Sequence, residues 1–183
     1  MSVTTTKRQP SSPSPTSSIP SSELNIEGAV VRGESLLLFQ RGNGAPRAGL
    51  APVNAVGSLD LSAFVRWLVG DAAPTLREIR QVDLGESSTV PFGFTDACLI
   101  PDGRVAFLAG AEDSPDTYRD GEVVGARFGI LDADDVWMVE VRDERGQAIR
   151  QKLRALWLHE ACGQSIRLCR HGTVERGRPH ARC

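Results

Sequence analysis

The chain lacks any apolar run long enough to span a bilayer and any leading apolar stretch of secretory type, so a cytoplasmic protein with no membrane contact is expected. Its four cysteines, Cys98, Cys162, Cys169 and Cys183, include no Cys-x-x-Cys pair, which argues against a disulfide framework or a zinc knuckle. Cys98, in an apolar stretch, reads as a small core residue, and the cluster of Cys162, Cys169, His171, His180 and Cys183 has no familiar ligand spacing. There is no Gly-x-Ser-x-Gly for a serine hydrolase, and His159-Glu160 has no second histidine four residues after the first, which excludes a zincin helix. Gly42-Asn-Gly44 with Gly49 follows a strand but is not joined by a Rossmann helix or a Lys-Ser/Thr pair, so it reads as a loop and not a phosphate cradle. The acidic stretch from Glu112 to Asp120 lacks the ordered odd-position ligands of an EF-hand and contains Pro115, which favours a solvated loop. No residue set identifies a reaction.

Charge and complexity are unevenly distributed. Residues 1–22 are dominated by Ser, Thr and Pro and have too little apolar surface to offset the entropy of ordering, so they are expected to be a disordered leader. Residues 23–169 would form the folded domain and 170–183 a basic, disordered tail. Residues 112–144 hold eleven carboxylates against three arginines, whereas residues 167–183 hold five arginines against one glutamate. A nucleic-acid surface needs a contiguous basic face, which the body of the chain does not offer, so no nucleic acid is expected as a partner.

What is present is a hairpin pattern repeated about two and a half times, beginning near Leu24, Phe94 and Leu153. Matching the copies by their letters places Glu27, Asp96 and Arg154 at one position. In the first unit strands are expected at 26–31, 35–40, 54–60 and 78–84, with a short surface helix at 61–69 from the spacing of Leu61, Phe64, Val65, Leu68 and Val69. The second unit predicts strands at 95–100, 105–109, 125–131 and 136–141, with Pro101-Asp-Gly as a hairpin turn. The third keeps only 153–159 and 165–169. Four antiparallel strands in sequence make one blade-like meander, so the fold expected is all-β, with the blades of a β-propeller, incomplete in this chain. Closed propellers need roughly four to eight blades. Unpaired blade edges would favour self-association, and a small sandwich is the alternative architecture.

The segments Asn25-Ile-Glu-Gly-Ala-Val-Val, Leu36-Leu-Leu-Phe-Gln-Arg-Gly-Asn-Gly, Pro91-Phe-Gly-Phe-Thr-Asp-Ala and Ala111-Glu-Asp-Ser-Pro-Asp-Thr resemble an uncharacterised bacterial β-propeller family allied to the phytase-like and esterase-like propellers. The resemblance spans about residues 24–168 and implies the C-terminal portion of a six-bladed propeller. It departs from the pattern at Arg154, where the family suggests an acidic residue, and is lost beyond Arg170.

In such a fold the start of each first strand and the end of each second strand share one rim. Asn25, Glu27, Arg41, Asn43, Thr95, Asp96, Glu112 and Asp113 are therefore the candidates for a ligand-binding or channel-lining site. Carboxylates and amides converging on a pore are oxygen ligands suited to calcium, with Glu27 and Asp96 as the metal-binding candidates. The structural alternative is that Glu27 and Asp96 accept hydrogen bonds from backbone amides of a neighbouring blade. Arg41 is either an anion clamp or, more simply, an inter-blade partner of Glu27 or Asp96. Trp67, Trp137 and Trp157 read as core or inter-blade packing. The functional expectation is a module that binds a protein or small-molecule ligand. The alternative is a metal-assisted esterase or phosphoesterase with its site at the channel.

Overall fold

The computed structural model describes residues 6–8, 24–43, 51–114, 121–133, 135–159 and 165–170. The 44–50 loop, the 115–120 part of the acidic stretch, most of the 1–22 leader, Cys162 and the 171–183 tail with its histidines and Cys183 lie outside the described residues, as does the side chain of Trp157.

The regular structure of the described residues is mostly antiparallel strands, in the order β1 (Thr6–Arg8), β2 (Ile26–Arg32), β3 (Ser35–Gln40), β4 (Ala55–Asp60), helix α1 (Leu61–Leu68), β5 (Arg77–Gln81), β6 (Glu86–Ser87), β7 (Val90–Leu99), β8 (Val105–Asp113), β9 (Glu122–Asp132), β10 (Asp135–Glu140), β11 (Leu153–His159) and β12 (Ser165–Arg170). Three sheets result. One is the meander β2-β3-β4-β5, the second is the meander β7-β8-β9-β10 extended by β6 beside β7 and β1 beside β10, and the third is the hairpin β11-β12. The repeat read from the letters is thus a repeat of antiparallel sheets.

Local chemistry accounts for the elements. Gly33 at φ 60° closes the tight link between β2 and β3, where Arg32 pairs with Ser35. Asp60 caps α1 by accepting from the Ala63 amide at 2.8 Å, and the chain leaves the helix through Gly70 at φ 114°. The helix has no buried residue, in keeping with the surface helix expected, but Trp67 on it is 44% exposed, which corrects its assignment to core or inter-blade packing.

The middle sheet is covered on both sides. Phe39, Val30, Leu37 and Val56 of the first sheet pack with Phe94, Val105, Phe107, Ala109 and Ala111. The Phe94 ring stands edge-on to both Phe39 and Phe107, with centroids 5.2 Å apart in each pair. On the opposite face Ala106, Leu108 and Ala126 meet Leu153 and Leu156 of β11, with Cys98 half-buried at the margin. Consecutive residues of β8 therefore enter different cores. Phe107 pairs with Gly129 on β9, where a Cβ would lie 2.2 Å from the ring. The first strands of the three units are neighbours as well, β2 lying against β7 and β7 against β11.

Candidate functional site

Arg41 directly follows β3 and continues its ladder by donating its amide to Asn25 O at 2.8 Å. Its side chain then leaves the first sheet for the second. Nη1 reaches Glu27 Oε1 at 3.4 Å and Nη2 reaches Glu112 Oε2 at 2.7 Å. The Arg41 and Glu112 side chains are only 3% and 4% exposed, against 31% for Glu27. The crossing is possible because the side chain passes over Gly93, where a Cβ would stand 2.7 Å from Arg41 Cγ. Arg41 is thus an inter-sheet partner, as expected in kind: of the two partners expected, Glu27 or Asp96, it meets Glu27, while its shorter contact is with Glu112.

Glu112 is more heavily engaged than a loop carboxylate. Lys152 Nζ lies 3.0 Å from Oε2, and the Gly121 amide donates to Oε1 at 2.8 Å. Burial pushes its carboxyl up, yet the hydrogen bonds from Arg41, Gly121 and Lys152 outweigh that and hold it below the usual glutamate range. The expectation of a solvated acidic loop is corrected at its start, because β8 runs on through Glu112 and Asp113 and only Asp113 is exposed.

Three asparagines tie the backbone around this ion group. Asn25 Nδ2 donates to Asn43 Oδ1 at 3.0 Å. Asn54 accepts the Gly42 amide at 2.8 Å and donates to Phe92 O at 2.7 Å, so one side chain pins the turn after β3 to the second sheet.

Thr95 and Asp96 occupy a bulge. The register steps from Phe94 opposite Ala109 to Asp96 opposite Leu108, leaving Thr95 without a cross-strand partner. The same irregularity occurs at Glu27 on β2 and at Arg154 on β11. Equivalence by backbone therefore aligns Glu27 with Thr95 and Arg154, which corrects by one residue the match of Glu27 to Asp96 made from letters. Asp96 instead takes the structural role: its Oδ1 accepts its neighbour Ala97's amide at 2.8 Å and its Oδ2 accepts the Leu156 amide of β11 at 2.6 Å. Burial raises its carboxyl above the usual range, opposed by those amides and reinforced by the charge of Glu27.

Beside the ion group lies an open pocket of about 280 Å³, to which Arg41, Asn43, Gly93, Gly110, Glu112 and Asp113 contribute. Gly93 and Gly110 are cross-strand partners and supply side-chain-free backbone to its wall. The Ser88-Thr89 turn between β6 and β7 supplies another edge, with both residues at positive φ, 51° and 67°. That conformation suits Gly or Asn and is strained for a β-branched threonine. Two buried polar atoms have no hydrogen-bond partner among the described residues, Arg41 Nε and Thr95 Oγ1.

Of the eight sequence candidates, Arg41, Asn43, Glu112 and Asp113 line this pocket, while Asn25 and Glu27 support it through bonds to Asn43 and Arg41. Thr95 lies just behind Gly110, its Cγ2 3.3 Å from where a Cβ would be, and Asp96 is turned to β11. Calcium is poorly served by the expected pair, because Glu27 is spent on Arg41 and Asp96 on two amides. Among the described residues no three His, Cys, Asp or Glu side chains are gathered as metal ligands. Sequence reasoning missed Lys152, Asn54 and the Gly93–Gly110 wall. Only Lys152 carried a signal, as one of two lysines in a chain otherwise using arginine.

A family model described as "Family of unknown function (DUF6910)" matches residues 13–170. Neither the curated proteins nor the solved structures contain a match. Among the described residues no helix is long and apolar enough to cross a membrane.

Proposed function

The chain belongs to DUF6910, a family of unknown function, and from that premise we propose that it is a ligand-binding module built of propeller-type blades, with its site in the pocket beside Arg41. Two meanders and a hairpin arranged face against face, with β2, β7 and β11 side by side, support the blade reading.

The observation that carries the binding reading is the buried Arg41 Nε. It belongs to a guanidinium fixed by two carboxylates, on a residue that lines a pocket, and it lacks an acceptor among the described residues. A buried donor without a partner is costly, and a shift of the pocket wall that admitted a ligand oxygen would relieve that cost. The strained turn at Ser88 and Thr89 on the same pocket is the second support, since such strain concentrates where a ligand is received. Nothing comparable favours metal-assisted ester hydrolysis, whose carboxylates are committed to other bonds. Self-association through free strand edges is also weakly supported: β5 ends its sheet, but it carries Arg77, Glu78 and Arg80, charges that discourage edge pairing.

The test is a thermal-shift screen of chemically diverse small molecules against the full chain and against Asp113→Trp, which crowds the pocket from an exposed position. At a hundredfold excess over Kd a pocket ligand should raise the Tm of the wild type by roughly 5 °C and leave the variant unmoved. No stabilising compound, or stabilisation that survives in Asp113→Trp, would overturn the proposal.

A further inference from the structure

The β10 side of the middle sheet differs from the charged β5 edge of the first. β10 carries the apolar run Val136-Trp-Met-Val139, and its register against β9 is regular from Asp135 to Glu140, so no charge, proline or bulge guards that run. Its backbone is held in place from behind, because Val136 and Met138 pack against the first core. A fixed strand of Val, Trp and Met with an open side is a ready template for another strand. In this chain the template is occupied. β1 pairs with it antiparallel, Thr6 opposite Met138, Lys7 opposite Trp137 and Arg8 opposite Val136.

Charge and length say what kind of occupant suits the edge. Residues 131–141 hold four carboxylates and no cation, whereas β1 reads Thr-Lys-Arg. Glu140 is paired with Arg142, but Asp135 has no ion-pair partner among the described residues, and the register sets it diagonal to Lys7. The β10 of a second copy is a poorer fit, since two such strands in full antiparallel overlap would set Asp135 against Glu140 at both ends. β1 is also short. Its three residues compare with roughly 5–6 for an ordinary strand, so the tether contributes much of its hold. Residues 9–25 separate Arg8 from Ile26, a length that reaches roughly 60 Å at most, and a tether of that order keeps β1 at an effective concentration of about 1 mM.

We infer that the β10 edge is a strand-addition site for an extended basic segment, and that the leader strand β1 is its tethered, displaceable occupant. No residue of β10 lines the Arg41 pocket, so this site stands apart from the one proposed above. The test uses the full-length chain, labelled with ¹⁵N, and a synthetic peptide of residues 1–10. Thr6→Pro combined with Lys7→Pro unseats β1, because the amides of adjacent strand residues point to opposite sides and one of the two must face β10. The peptide should bind this variant saturably and shift the amides of Val136, Trp137 and Met138. With a peptide Kd of about 100 μM, the competing tether should make the wild type bind about tenfold more weakly. The same peptide carrying Lys7→Glu and Arg8→Glu should lose roughly tenfold in affinity for the variant. Failure of the peptide to bind the variant, or equal affinity for variant and wild type, would overturn the proposal. Undiminished binding of the charge-reversed peptide overturns the basic preference. Self-association of the variant in sedimentation equilibrium that the peptide does not reverse assigns the edge to a second copy instead, and overturns it too.

Discussion

Arg41 Nη2 and Glu112 Oε2 lie 2.7 Å apart across two sheets, although 71 residues separate them in sequence and both side chains are almost wholly removed from water. Two charges withdrawn from solvent to this degree depend on each other. Their mutual attraction and the extra bonds from Gly121 and Lys152 offset a desolvation cost that neither could carry alone.

Glu112→Gln should therefore lower the unfolding free energy by about 3–5 kcal/mol, since it leaves a buried guanidinium without its countercharge. Glu27→Gln, at a longer and partly solvated contact, should cost under about 1 kcal/mol. Urea denaturation of the two variants beside the wild type checks the order, and equal costs would refute the primacy of Glu112.

Acid should act on this protein in two opposite directions. Glu112 has a folded pKa below its ordinary 4.5, so the stability it contributes is present above that value and is lost as pH falls through the lowered folded pKa. Asp96 is raised above its ordinary 3.8, so the folded state holds the proton more tightly than the unfolded state. Its ionised form is a cost at neutral pH, and that cost is relieved as pH falls through the raised value. Urea midpoints measured between about pH 3 and pH 7 should show Glu112→Gln removing part of the acid loss and Asp96→Asn removing the acid gain.

Gly93→Ala should displace Arg41, because the new Cβ would sit 2.7 Å from a Cγ whose side chain is fixed at two carboxylates and cannot move aside. A loss of about 1–3 kcal/mol is expected. Gly110→Ala meets Thr95 Cγ2 at 3.3 Å, a tight but tolerable contact, and should cost less. Thermal melts of the pair test the ranking.

Thr89→Gly should stabilise the free protein by about 1 kcal/mol, relieving a positive φ that a β-branched residue resists, with the entropy of glycine taking back part of the gain. If the turn is strained for the sake of the pocket, the same change should weaken binding of any ligand the screen identifies. A more stable variant with undiminished affinity would show the strain to be incidental.

The hairpins were legible because their signals are local. Alternating apolar residues and Gly33 or Asp102-Gly103 lie within a few positions of the bonds they dictate, and most of the strands from β2 onward lie within two residues of expectation. The start of β7 and the end of β8 were not. Ala109, Gly110 and Ala111 have little intrinsic preference for a strand, and Glu112 reads as solvent-facing until Arg41 and Lys152 arrive from distant parts of the chain. The bulges were hidden for a different reason. An extra residue shifts backbone register without a mark of its own, so matching letters paired two carboxylates, Glu27 and Asp96, where the backbone pairs Glu27 with Thr95. Of the site, the polar candidates at the rim could be named from the repeat, but the pairing that buries them could not.

A strand with cores on both sides, such as β8, is denied the usual guard against slippage. A one-residue shift would expose no apolar row to water, because each face is already covered. Volume must do what polarity cannot. Phe107 fits opposite Gly129 and nowhere that carries a Cβ in the same place, so the ring and the vacancy beside it act as key and slot. The alignment of β8 with β9 is thus favoured by one matched pair of sizes, and filling the slot with even a methyl group would weaken the preference for this register over its neighbours.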